Sequence, residues 1–157
     1  RAGERVAPEL FSSAGEFIRN YADTYHHGKE EGVLFPAMED KGMPRDGGPV
    51  GIMLYEHDEG RRFVREMLAA VPGYYRGDEA AARRMAEKAL CFVSLLRQHI
   101  LKEDQVLYPM AERAFSAADR AKVAEGFEAS DRKLGRDTGE RYRALARELE
   151  ELAKAPA

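Results

Sequence analysis

This chain of 157 residues has a single cysteine, no long apolar run and no excess of charge of one sign, and each shortage removes a class of protein. With one thiol, Cys91, no intrachain disulfide and no CxxC zinc site can form. Its place in the run Ala89-Leu90-Cys91-Phe92-Val93 predicts a small buried hydrophobe. No apolar stretch approaches the ~20 residues needed to cross a bilayer, and nothing resembles a signal peptide. The expected setting is therefore soluble, reducing and cytoplasmic, with no membrane partner. The 25 basic and 28 acidic residues are interleaved and sum to a net charge of -3, which argues against a nucleic-acid partner. HExxH, GxSxG and a phosphate-cradling glycine loop are also absent, so zinc hydrolysis and the commonest esterase and nucleotide-binding chemistries are disfavoured.

Two-residue alternation and β-branched runs, the marks of strands, are missing as well, while apolar residues recur at helical spacing almost throughout. The fold class is all-α. Length fits one domain over residues 1–157, able to bury roughly two-thirds of the surface of its unfolded form. A first long helix is expected from Pro8 to about Met38, ended by the turn Gly42-Met43-Pro44-Arg45-Asp46-Gly47-Gly48-Pro49. A second should run from about Val50 to Val71, stopped by Pro72-Gly73 and Gly77. A third should run from the cap Asp78 to about Phe115. Ser116 with Asp119 reads as a capping box. After it come a short helix, an interruption by Gly135 and Gly139, and a terminal amphipathic stretch carrying Leu145, Leu149 and Leu152. Three long helices joined by short polar turns must pack antiparallel to bury their apolar stripes, with the terminal stretch available as a fourth element of a bundle.

The chemistry lies in an internal repeat. Residues 26–36 and 99–109 both read HxxKE(E/D)xVL(F/Y)P, with a histidine and a glutamate four residues apart: His26 and Glu30, His99 and Glu103. Residues four apart lie only ~40° apart around an α-helix, so each pair can reach one point. The pairs continue apolar stripes: Phe92, Leu95, His99, Glu103, Val106, Met110 on one helix, and Ile18, Ala22, His26, Glu30, Val33, Ala37 on the other. One such pair on a surface is usually a hydrogen bond and nothing more. Two carboxylates facing one bundle interior, however, cost several kcal/mol unless a cation compensates them. His57 joins them from the stripe Val50, Met53, Leu54, His57, Gly60, Val64, Leu68, and Gly60 leaves space one turn on. The neighbouring pair His27 and Glu31 has the same spacing, but the repeat aligns His26 with His99 and places Ile100 opposite His27. His26 is therefore expected inside and His27 at the flank, either behind the ligands or partly exposed, and Asp58 and Glu59 are expected to point away into solvent.

The segments HHGKEEGVLFPAME, GGPVGIMLYEHDEGR and LLRQHILKEDQVLYPMAER, over roughly residues 10 to 115, resemble the hemerythrin family and its bacterial HHE cation-binding branch in order and spacing. That resemblance implies an antiparallel four-helix bundle holding two irons, with an oxo or hydroxo bridge between them. It matches His26 and Glu30 to the pair on the family's second helix, His57 to the histidine of the third, and His99 with Glu103 to the pair of the fourth. Two departures stand out. No helix precedes Pro8 to carry the family's first histidine, so a ligand-bearing helix upstream of Arg1 is expected. Oxygen carriers also place a second histidine four residues beyond the one on the third helix, where this chain has Arg61, which cannot ligate iron. That favours sensing or an iron- or redox-responsive role over oxygen transport. Some members use an acid five residues after the last histidine, here Asp104; the repeat favours Glu103.

The leading expectation is thus a non-haem di-iron domain, with His26, Glu30, His57, His99 and Glu103 as ligands and dioxygen or another small molecule as partner, more a binding protein than an enzyme. The rivals are a ferritin-like di-iron oxidase or peroxidase, and a helical interaction module with structural histidines. Ferritin-like sites use ExxH, and the residues three before each histidine are Asp23, Thr24, Leu54 and Leu96.

Overall fold

The computed structural model describes residues 8–135 and 137–154, and these form five continuous helices without a strand. Helix α1 (8–39) joins an α-helical Pro8–Phe17, π-helical stretches Ile18–His27 and Glu30–Leu34, and an α-helical Phe35–Glu39. Helix α2 is Gly48–Tyr75. Helix α3 (79–114) joins Glu79–Lys102, a π-helical Glu103–Leu107 and Tyr108–Ala114. Helices α4 (Ala117–Leu134) and α5 (Thr138–Lys154) complete the described chain. None of these helices is long and apolar enough to cross a membrane.

The ends obey local chemistry. Gly47, with φ of 77°, takes a backbone conformation open chiefly to glycine just before α2. Asp78 caps α3 by accepting from the backbone N–H groups of Ala80 and Ala81 at 2.8 and 3.3 Å. Ser116 and Asp119 close the expected capping box on α4, each side chain accepting from the other's backbone N–H at 3.2 and 2.8 Å.

Three expectations need correction. Pro72 and Gly73 do not stop α2, which continues to Tyr75. Pro72 lies on the exposed side, while Val71 and Tyr74 beside it are buried against Met85 of α3, and Gly73 is so close to Ala81 that an added Cβ would stand 2.6 Å from it. Burying two large side chains is worth roughly 1.5–3 kcal/mol each, enough to offset the bond lost at a helical proline. Gly139 lies inside α5, and α4 has 18 residues where a short helix was expected; of the two glycines, Gly135, with φ of 100°, is the one that follows the end of α4. Cys91 is half-buried, not buried, because its run faces outward with Leu90 71% and Val93 41% exposed.

The π-helical turns were not expected, and they change which residues face inward. On α3 the buried line runs through His99, Glu103, Leu107 and Ala111, with Phe115 just beyond the helix end, while Val106 is 42% exposed. On α1 it runs through Glu30, Leu34 and Met38. In an α-helix a four-residue step drifts by ~40° each time, so such a line would wind off the core; a wider π turn removes the drift. Both short π stretches end two residues before a proline, Pro36 and Pro109. Proline lacks an N–H and crowds the carbonyl four residues back, which a wider turn relieves.

Two apolar clusters result. One gathers Phe35, Met38, Val50, Met53, Leu107 and Phe115 where α1, α2 and α3 meet α4. The other gathers Met67, Val71, Tyr74 and Met85 between α2 and α3, with Phe11 of α1 packed against it. Helix α5 lies along α1, where Tyr142 packs edge-on to Phe17 at 6.3 Å and beside Tyr21 at 5.8 Å. Between the two clusters lies a polar layer.

Candidate metal centre

That layer is built by α1, α2 and α3, each contributing side chains from its buried line. Glu30, His57, His99 and Glu103 are all at most 4% exposed. One nitrogen or oxygen from each lies within 4.8 Å of all the others. His57 Nε2 stands 3.4 Å from Glu30 Oε2, and His99 Nε2 stands 3.0 Å from Glu103 Oε1. His26 reaches the same oxygens from the rim, with Nε2 3.5 Å from Glu103 Oε1 and 3.7 Å from Glu30 Oε2, while its side chain stays 43% exposed. Asp104, the alternative acid, is exposed.

His27 flanks the layer as a packed group and not as a partly exposed residue. Its side chain is only 12% exposed, and its ring stacks on that of His57 at 3.7 Å and 11°. It forms a second group of close nitrogens with His57 and His99. The π-helical turn through Ile18–His27 is the reason: it rotates less per residue than the ~100° of an α-helix, so consecutive histidines diverge less. Glu31 is drawn in as well. Its Oε1 is 2.7 Å from His57 Nδ1 and accepts from Arg61 Nη2 at 2.7 Å.

The outer partners set the tautomers. An ionised carboxylate can only accept, so Glu31 calls for the proton on His57 Nδ1, and Glu56, 3.0 Å from His99 Nδ1, calls for it on that ring's Nδ1. Both Nε2 lone pairs are then left pointing into the layer. Lys102 in turn pairs with Glu56. Tyr108 donates to Glu30 Oε1 at 2.8 Å, leaving Oε2 free. Phe35, its counterpart in the repeat, stacks on His57 instead. Arg61 straps α2 to α1 through Asp23 and Glu31, and also pairs with Asp58. Asp58 is otherwise solvated, 79% exposed, and Glu59 pairs with Arg62 outside the layer.

Charge in the layer is held at a cost. Burial opposes ionisation of Glu103, yet His26 and His99 hold its carboxyl well below the usual range. The carboxylate of Glu103 beside its ring raises His26 against its burial. Burial would lower His57, but Glu30 and Glu31 outweigh it and raise it. His27 is lowered, chiefly by burial. Burial raises Tyr108 far above an ordinary phenol, and the charge of Glu30 adds to this. Asp23 is held at about 2 because His27 and Arg61 overcome its burial.

The deciding observation is what these atoms lack. Glu30 Oε2, His57 Nε2, His99 Nε2 and Glu103 Oε1 are all buried without a hydrogen-bond partner. Each such atom costs about 1–3 kcal/mol, and four of them converging on one point fit a cation's donor set. Residues 1–111 match the hemerythrin HHE cation-binding domain. The chain belongs to that family. Among curated proteins, this hemerythrin-family chain is 30% identical over 122 residues to uncharacterized proteins of Mycobacterium tuberculosis and Mycobacterium bovis, a match covering 78% of the chain and 47% of theirs. It thus spans about half the length of these relatives. No solved structure matches it.

The oxygen and nitrogen donors of Glu30, His57, His99 and Glu103 suit a cation of this family. Sequence reasoning missed the groups behind them. Glu31 entered only through its spacing to His27 and Glu56 not at all, and nothing in local spacing marks either as the partner of a ring on another helix. Tyr108 did carry a signal, as the one chemical difference between Phe35-Pro36 and Tyr108-Pro109 in an otherwise matching repeat.

Proposed function

We propose that this protein holds a non-haem di-iron centre with His26, Glu30, His57, His99 and Glu103, and uses it to bind or sense dioxygen or a similar small ligand, or to respond to iron or redox state. The observation that carries this reading is the set of four buried, unpartnered donor atoms within 4.8 Å of one another. The donors are imidazole and carboxylate with no thiolate, a set suited to iron, manganese or zinc, and carboxylates can be shared by two cations in a helical bundle. When bound, the irons would supply redox chemistry and open positions for a small ligand.

The chain's own residues do the rest. Glu31 and Glu56 hold the rings of His57 and His99 with Nε2 turned inward. Tyr108 fixes one oxygen of Glu30 and leaves the other for the cation. The apolar clusters on either side keep water out of the layer, and His26 closes it at the rim. Arg61 takes a place where a further histidine would add a ligand, which favours sensing over transport. On this reading the architecture is the family's antiparallel four-helix bundle, with α5 against α1 as its closing element.

Metal analysis with optical spectra in air and under dithionite tests the proposal. Close to two irons per chain and an absorption that bleaches on reduction are expected. A folded, full-length protein that takes up no iron would overturn it.

A further inference from the structure

A cleft of about 400 Å³ lies between α1 and α2 with Phe92 of α3 at its wall, beside the polar layer and outside the group of four donors. Its walls are largely apolar, formed by Ile18, Val64, Leu68 and Phe92, and it reaches Gly60 and His27 at the end where His27 stacks on His57. This volume lies within the ~300–1,000 Å³ usual for small-molecule sites. From Gly60 to Leu68 the helix rises about 12 Å, room for an acyl chain of medium length.

The charges along it are unequal. Arg19, Arg61 and Arg65 line the cleft against a single carboxylate, Asp23. Arg61 is fully engaged by Asp23, Glu31 and Asp58. Arg19 and Arg65 are exposed, and neither guanidinium has a hydrogen-bond or ion-pair partner among the described residues. Glu16 shares the adjoining cavity with Arg19 without pairing with it. Two unpaired cations at the edge of an apolar cleft match a ligand with an anionic head and an apolar tail, and the planar guanidinium fork suits a carboxylate.

We propose that this cleft binds a medium-chain monocarboxylate, its carboxylate held by Arg19 and Arg65 and its tail lying along Ile18, Val64 and Phe92 toward His27. The inference does not depend on the cation, so calorimetric titrations of octanoate into the metal-depleted full chain keep the two apart. One saturable site is expected, with affinity rising by up to about fourfold per methylene from butanoate to octanoate. Arg19→Gln/Arg65→Gln should weaken octanoate by about tenfold or more, and octylammonium, of equal length and opposite charge, should show no saturable binding. Gly60→Ala places a Cβ 3.6 Å from Phe92, an ordinary contact, so it should fold and should weaken octanoate more than butanoate. Affinity independent of chain length, equal binding of octylammonium, or an unchanged affinity in the double variant with its helical circular dichroism intact would overturn the proposal. Should the double variant unfold, the chain-length and octylammonium titrations decide.

Discussion

Replacing Glu31 by glutamine keeps the side-chain shape and removes one charge from the outside of the candidate centre. Its Oε1 stands 2.7 Å from both His57 Nδ1 and Arg61 Nη2, so the carboxylate fixes the ring and makes it a better donor through Nε2. The amide oxygen of the substituted side chain could still accept one of those bonds, but a neutral acceptor gives about half the strength of a charged one. Loss of such a partner typically weakens a metal site about 10- to 100-fold, or about 1.4–2.7 kcal/mol. One effect runs the other way. Glu31 helps to raise the pKa of His57, so its removal eases proton competition near neutral pH. Measured at about pH 8, where that competition is small, the full loss should appear. The assay is anaerobic competition for ferrous iron against a chelator, with Asp58→Asn as control. Asp58 has Arg61 as its one ion-pair partner among the described residues and is 79% exposed, so the control should bind as the parent does. Parent-like affinity in Glu31→Gln, or equal losses in both variants, would refute the argument that Glu31 sets the ring.

Glu30→Ala and Glu103→Ala should each lose most of the bound iron while Asp58→Ala keeps it, as read by iron stoichiometry; equal loss in all three would place the centre on another face of α2. His26→Ala should cost more iron than His27→Ala, because His26 Nε2 faces the unpartnered oxygens of Glu30 and Glu103 whereas His27 packs on His57; the opposite order, measured on folded variants, would make His27 the ligand. Iron affinity should keep rising with pH beyond the ordinary imidazole range, since the raised pKa values of His26 and His57 mean that protons must still be displaced there; a profile flat between about pH 6 and about pH 8 would contradict this. On the acid side, Asp23, held at about 2, contributes stability that is complete above the ordinary carboxylate value and is lost as pH falls through its folded pKa, so Asp23→Asn should flatten the acid limb of a thermal-unfolding series. Pro72→Ala should stabilise the protein by about 2 kcal/mol in chemical denaturation, by restoring a donor and relieving ring crowding on the exposed side of α2.

Much of the molecule was legible in one dimension because the forces concerned act over one turn of helix. The all-helical class, the cap at Asp78, the capping box of Ser116 and Asp119, and the break at Gly135 all depend on residues within four positions of one another. The repeated histidine and glutamate spacing belongs to the same range. It singled out Glu30, His99 and Glu103, with His57 on a third stripe, and these four side chains do meet in one buried layer. The position one turn beyond Glu103 did not read correctly, although Val33, its counterpart beyond Glu30, does pack against the core. A period of 3.6 residues puts Val106 inward, but the turns before Pro36 and Pro109 widen and carry Leu34 and Leu107 to the core instead. The separate π-helical stretch Ile18–His27 brings His27 against His57, which the wider divergence of adjacent positions on an α-helix would disfavour. Pro72 stays helical only because α3 gives Val71 and Tyr74 something to be buried against. The partners that orient the rings are decided at the longest range. Glu31 lies 26 residues from His57, and Glu56 lies 43 from His99. No local pattern connects them, and only the packing of three helices, which takes these acids out of bulk water and sets them beside a ring nitrogen, makes two surface-like glutamates part of the centre.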